Sequence, residues 1–313
     1  MFAFIARRLV ATIPVLLFVA IFVFMLLRLT PGDPAAVIAG DNATSDQVAA
    51  IRAKLGLDEP LHTQFFIWSG KALAGDFGES FFFKKTVAEL IVQRIEPTAM
   101  LALCTLILAV SIAVPLGVLA AARQGGWVDR AIMGFSVLGF SVPVFVVGYL
   151  LIYLFAIQWG LLPVQGYRRI AEGFGDFIIR LILPSVTLAV IYIALISRIT
   201  RASVIETLGE DYIRTARAKG LPGRTVLLRH ALRNAAVPII TVIGIGIALL
   251  IGGVVVTESV YNIPGVGRLT VDAVLARDFP VIQVVILMFS FVYVLINLVI
   301  DIAYSFFDPR IRY

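Results

Sequence analysis

Charge is scarce in this chain: 15% of its 313 residues are Asp, Glu, Lys or Arg, against 60% hydrophobic, with a mean hydropathy of +0.98. Soluble globular chains carry roughly 25% charged residues, so most of this surface need not face water. Disorder is excluded by the same numbers, because disordered chains are poor in apolar residues and rich in charge. Cys104 is the single cysteine, which excludes an intrachain disulfide and a cysteine-based zinc cage. His62 and His230 are the only histidines, too few to found a histidine metal site. Catalytic signatures are missing as well. Gly70-Lys71 is followed by Ala72, so the chain has no phosphate-cradling Walker A loop, and it contains neither His-Glu-x-x-His nor Gly-x-Ser-x-Gly. No catalytic residue and no cofactor of its own is expected.

What is present is apolar length. A helix needs about 20 apolar residues to cross the hydrocarbon core. Six stretches qualify: Leu9–Leu29, Pro97–Ala122, Ala131–Ala156, Leu181–Ser197, Ala235–Thr257 and Val281–Ile300. The fourth is short enough that it could begin near Phe177. The first run exceeds the roughly 7–15 apolar residues of a signal peptide, which favours an uncleaved anchor. The expected fold is an all-α polytopic membrane protein of six transmembrane helices. Its divisions are residues 1–29 with the first span, a segment 30–96 outside, a five-helix core 97–305 and a tail 306–313.

Positive charge orients the bundle. With the N-terminus inside, segments 1–8, 123–130, 198–234 and 301–313 hold fourteen Lys/Arg, whereas the short outer loops hold five, balanced by five acids. Both termini are therefore expected in the cytoplasm, and the net charge of +6 reads as topology rather than nucleic-acid binding. Spans two to six contain no ionisable Asp, Glu, Lys, Arg or His. Ion-coupled transporters carry such groups as their coupling device, so this chain requires another energy source. Ser136, Ser141, Gln283 and Asn297 are the polar candidates for a translocation path, with interhelical hydrogen bonding as the plainer reading of Gln283 and Asn297. Pro115 and Pro143 permit kinks in spans two and three.

The loops carry finer signals. Thr44 with Gln47 and Thr86 with Glu89 read as capping boxes. The first opens a helix that Gly56 stops; the second opens an amphipathic run to Ile95. Pro60 starts a helix containing Phe65, Phe66 and Trp68, and Gly75–Gly78 forms a turn. Within 198–234, Glu210 and Asp211 open a short helix, Tyr212–Lys219, whose dipole they and Lys219 complement. Gly220 suits a left-handed cap and Pro222 forbids continuation. Ala216 and Ala218 leave room for the backbone of a partner. Thr225–Asn234 has the composition of an interfacial helix.

Glu210-Asp211-Tyr212-Ile213-Arg214-Thr215-Ala216-Arg217-Ala218-Lys219-Gly220, followed by Arg229–Asn234 and Pro238, resembles the EAA-type coupling loop of bacterial ABC importer permeases. More narrowly, the chain is similar to the dipeptide/oligopeptide/nickel family and to the first of its two permease types. Pro31-Gly32-Asp33-Pro34, Leu55–Leu61, Gly75–Gly78, Pro264–Arg268, Arg277–Gln283 and Asp308-Pro309-Arg310 support this along the whole length. Arg214 stands where the general motif has glutamate, and Thr215 where it has its first alanine. The resemblance implies a type I ABC importer transmembrane domain in the inner membrane. It implies a homologous second permease, two cytoplasmic ATPases that carry ATP and Mg, and a periplasmic binding protein that delivers peptide. Residues 210–212 and 214–220 would then meet the ATPase. Asp76, Phe77, Glu258, Arg268 and Asp278 are candidates for docking the binding protein. A nickel or glutathione cargo, or a self-contained ion-coupled transporter, remain as alternatives; an intramembrane enzyme lacks any acid–base constellation.

Overall fold

The computed structural model describes residues 2–29, 33–40 and 43–307. Pro31-Gly32, Asp308-Pro309-Arg310 and Arg312 of the sequence reading lie outside them. Helices in chain order are α1 Phe2–Leu29, α2 Pro34–Ala39, α3 Ser45–Leu55, α4 Leu61–Leu73, α5 Val87–Ala122, α6 Trp127–Ser141 and α7 Val144–Leu151. There follow α8 Phe174–Leu208, α9 Asp211–Ala218, α10 Gly223–Thr225, α11 Leu232–Asn234, α12 Ala236–Val260, α13 Val266–Leu275 and α14 Phe279–Phe307. Two π-helical stretches, Ile152–Gln158 and Val226–Ala231, continue α7 and link α10 to α11. Among the described residues no strand forms beyond the single bridge Glu79–Thr86.

Among the described residues five helices are long and apolar enough to cross a membrane; the pair α6 and α7 with its π extension makes a sixth when taken together. The pair is bent by 104°. The kink that Pro143 permits is realised as a break within the run Ala131–Ala156. The cause is Pro143: its missing N–H ends the ladder, Val142 is extended at ψ 125°, and Pro143 starts the next helix at its N-terminus. Pro97 and Pro115, by contrast, sit inside a continuous α5. The run opened by Thr86 therefore does not stop at Ile95 but continues into span two. Span four begins at Phe174, earlier than its apolar core, and runs on to Leu208.

The chain divides into two compact units. Unit 1 is Met1–Glu96 with Arg268–Leu295. In it, Thr44 Oγ1 accepts from Gln47 N at 3.4 Å while Gln47 Oε1 accepts from Thr44 N at 3.0 Å, so both halves of the capping box form. Gly56 ends α3 in a left-handed conformation, φ 62°. At Thr86 only the half-box forms, because Glu89 turns its carboxylate to Lys85 and Gln93. In the Gly75–Gly78 turn, both glycines have positive φ and Asp76 Oδ1 accepts from Gly78 N at 3.0 Å. An aromatic cluster of Phe24, Phe65 and Trp68 ties α1 to α4.

Unit 2 is Pro97–Gly267 with Ile296–Tyr313. Its main core is built on α8, from Phe177 to Ile196, against α5, α7 and α12. Gly244 meets Ile300 and Gly253 meets Leu188 so closely that a Cβ at either would force them apart, whereas Gly252 faces open space. Tyr261 Oη pairs with Thr187 Oγ1 at 2.7 Å, giving the largest fully buried ring a polar partner.

Candidate functional site

α9 is a helix of eight residues held between two spans. The chain leaves α8 at Leu208, turns at Gly209 and extends at Glu210 (ψ 148°), whose carbonyl accepts from Ile213 N and Arg214 N. Glu210 caps through its backbone; its side chain makes no capping bond. Asp211 stands in the first turn, where the helix dipole favours an acid, and pairs with Arg214 at 3.3 Å. At the other end Gly220 takes φ 79° and donates to Arg217 O at 2.9 Å. Leu221 N reaches back to Ala216 O, and Pro222 starts the next turn.

Burial gives this helix two faces. Ile213 and Ala216, three residues apart, point inward among Val118, Ala121, Val204, Val226 and Ala231. Full burial of a side chain such as that of Ile213 contributes about 2 kcal/mol, so two inward residues among five apolar neighbours can seat a helix of only two turns. The opposite stripe, at i, i+3, i+4 and i+7, is Asp211, Arg214, Thr215 and Ala218, all exposed. Tyr212, Arg217 and Lys219 flank it and are also exposed. Ala216 therefore corrects the sequence reading: it is spent on the chain's own core, and the small side chains left to face outward are Thr215 and Ala218. Partial burial and the Glu210 carboxylate beside it push the Tyr212 phenol above its ordinary range, with a hydrogen bond to Asn234 opposing. Beyond α9, the segment from Gly223 to Asn234 buries Val226 and Ala231 and leaves Arg224, Arg229 and Arg233 exposed.

Other sequence candidates disperse. Ser136 is buried on α6, where Oγ donates to Ile132 O and meets Ser197 Oγ of α8 at 3.2 Å, a packing bond between helices. Ser141 is exposed at the bend and donates to Val137 O. Gln283 is buried in unit 1 and donates from Nε2 to the Val23 carbonyl at 3.0 Å. Asn297 is exposed on α14 in unit 2.

Of the five docking candidates, Asp76 and Arg268 are accessible and Phe77 is half-buried. Arg268 lies 3.9 Å from Asp272, one turn on. Glu258 and Asp278 are corrected: both are buried, 0% and 1% exposed. Glu258 accepts from Thr98 Oγ1 at 2.6 Å, and Thr98 accepts from Val266 N at 2.8 Å. Gly265 lies so close over this carboxylate that a Cβ there would strike it, and a Cβ at Gly267 would strike the Val255 backbone beside it. Asp278 accepts from Ser80 Oγ and from the backbone N–H of Phe81 and Phe82, organising that turn from within. Buried carboxylates persist when their lone pairs are filled, as here.

A buried ion pair escaped the sequence reading. Arg201 on α8 grips Asp129 on α6 with two bonds, Nε to Oδ1 at 2.5 Å and Nη2 to Oδ2 at 2.7 Å. Gly125 N adds a third at 2.9 Å, and Asp129 is 3% exposed. Both residues lie outside the apolar runs, on helical turns that extend past them. Helical periodicity carried beyond each run is the signal that finds them.

Comparisons with known proteins agree with this layout. Residues 113–313 match the family model described as binding-protein-dependent transport system inner membrane component, and residues 1–102 match the N-terminal model of the same membrane component. The chain is 58% identical over 310 residues, 99% of each chain, to the probable peptide ABC transporter permease protein y4tP of Sinorhizobium fredii. It is 42% identical over 313 residues, the full length of both, to the glutathione transport system permease protein GsiC of Escherichia coli. Among solved structures, the inward-facing MetNI methionine ABC transporter covers 70% of this chain and 96% of its own at a TM-score of 0.59; at 17% identity that likeness shows the fold. Six apolar spans with a capped helix displayed between the fourth and fifth, on a chain without a phosphate cradle, are what a transport subunit driven from outside requires. The chain belongs to the binding-protein-dependent transport system inner membrane components, the non-catalytic permease subunits of ABC importers.

Proposed function

We propose that this chain forms one half of the path by which small peptides, glutathione-like tripeptides among them, enter a bacterial cell across its inner membrane. Its partners are a distinct homologous permease, two cytoplasmic ATPases that bind ATP and Mg, and a periplasmic binding protein. The observation that carries this reading is the two-faced α9: Ile213 and Ala216 root it in the chain's own core, while Asp211, Arg214, Thr215 and Ala218 stand exposed. In this reading the stripe, flanked by Tyr212, Arg217, Lys219 and Gly220 with Glu210 at its start, seats in a groove of an ATPase. Closure of the ATPase pair pushes α9, and α8 carries that push into the bundle. Asp76, Phe77 and Arg268 belong to the outer surface that meets the binding protein.

The peptide cargo follows the names of the similar permeases, and the choice among peptides rests with the binding protein. An ion-coupled transporter is disfavoured by spans two to six, which lack Asp, Glu, Lys, Arg and His within their apolar runs. The test is cysteine crosslinking in the assembled importer, starting from Cys104→Ser. A cysteine at Ala218 should crosslink to the ATPase and one at Ala216 should not. Equal labelling of both positions, or of neither, would remove α9 as the contact.

A further inference from the structure

Unit 1 contains a cleft of about 570 Å³ at the end of α1 and the beginning of α14. Leu27 and Arg28 of α1, Ile67 and Trp68 of α4, and Val284 and Leu287 of α14 line it. Two spans end there together, which sets the cleft at the depth where hydrocarbon gives way to headgroups. Arg28 is half-buried in its wall. Nε and Nη2 donate to Gln64 Oε1 at 2.9 and 2.6 Å, Nη1 donates to Phe24 O at 2.9 Å, and the guanidinium lies 3.5 Å over the Phe24 ring.

Every one of these partners is neutral. Among the described residues no carboxylate pairs with Arg28, although Asp33, Asp58, Asp76 and Glu79 all belong to unit 1. A guanidinium has five N–H donors, so three bonds leave one donor on each terminal nitrogen without an acceptor among the described residues. A partly buried cation without a counter-charge is costly, and two parallel donors are the arrangement that takes an oxyanion in bidentate fashion. Lys71, exposed on α4, supplies a second cation to the same cleft. Asp76 and Glu79 also line it, which disfavours a dianion. A phosphodiester carries one negative charge.

We propose that this cleft seats the phosphodiester headgroup of a membrane phospholipid, bound by Arg28 and Lys71, with an acyl chain along Leu27, Val284 and Leu287. Gln64 is the positioning residue. Its Oε1 holds the guanidinium, and its Nε2 is anchored on Leu57 O and Glu59 O at 3.1 and 2.7 Å. The lipid would bridge α1 to α14 where Gln283 already bonds Val23.

The test is native mass spectrometry of the assembled importer, extracted in mild detergent and supplied with phosphatidylglycerol. One phosphatidylglycerol should survive delipidation on the unaltered complex. Retention should fall about tenfold in Arg28→Gln, the loss that goes with one charge-assisted bidentate pair, and measurably in Lys71→Gln. The Arg28 variant also removes a bond to Gln64, so the exposed Lys71 variant keeps the proposal falsifiable if α1 loosens. Undiminished lipid in both variants would overturn it. So would displacement of the lipid by free dialanine, which would make the cleft a peptide site. Neither result depends on transport, so the importer reading stands or falls separately.

Discussion

At the residue scale, the alanines of α9 separate a fold requirement from a contact requirement. Ala216 is 7% exposed, packed among Val204, Val226 and Ala231, whereas Ala218 faces away. Ala216→Trp inserts a large ring into a filled core and should destabilise the chain by about 1–3 kcal/mol, read as a lower melting temperature or loss of assembled complex. Ala218→Trp should leave the melting temperature unchanged and abolish ATPase stimulation by the binding protein. If Ala218→Trp behaves as the wild type in both measurements, the exposed stripe does not meet the ATPase. Gly220 gives a third outcome. Open space surrounds it, so a side chain meets no atom, yet φ 79° is disfavoured for any residue with a Cβ. Gly220→Val should therefore cost about 1–2 kcal/mol from backbone strain alone, while Gly220→Asn should cost much less, because asparagine tolerates that conformation. Equal melting of the two variants would mean the cap relaxes into another turn.

At the element scale, the Asp129–Arg201 clasp joins the start of α6 to the last turns of α8, just before the chain enters α9. It is placed to carry displacement from the exposed helix into the bent pair α6–α7. Asp129→Asn keeps the shape and removes the charge, leaving Arg201 without its anion; breaking a buried pair of this kind costs about 3 kcal/mol. Purified complex should melt earlier, and the double exchange Asp129→Arg with Arg201→Asp should recover part of the loss. Failure of the exchange to recover anything would place the cost in the Gly125 bond or in packing rather than in the pair. Much of this element was readable in advance. The apolar runs placed every span, the Thr44–Gln47 box and Gly56 bounded α3, and Gly220 with Pro222 bounded α9. What eluded the reading shares a physical cause. Apolar runs mark where lipid begins, not where helices end, so the polar turns at Asp129 and Arg201 read as loops. Pro115 and Pro143 read alike, although one is absorbed in α5 and the other turns the chain by 104°. Glu258 and Asp278 looked like surface acids because sequence shows a charge without showing the hydroxyls and backbone N–H groups folded around it.

At the scale of the whole molecule, the question is where the work of transport enters. Within their apolar runs, spans two to six offer no Asp, Glu, Lys, Arg or His whose protonation or ion binding could follow a gradient. Ser136 bonds Ser197 and Gln283 bonds the Val23 carbonyl, each between helices. Free energy must then come from separate ATPase subunits, and the proposed reading makes α9 the element that receives it. Proteoliposomes containing this chain, its sister permease and both ATPases should take up labelled dipeptide only with binding protein outside and ATP inside. Dissipating the proton and sodium gradients should change the initial rate by less than about twofold, because an ion-coupled step loses its whole driving force when the gradient goes. Uptake that survives ATP depletion and stops with the gradient would transfer the energy source into the spans. A titratable residue outside the apolar runs would then have to be identified there, with the Asp129–Arg201 pair the first to substitute.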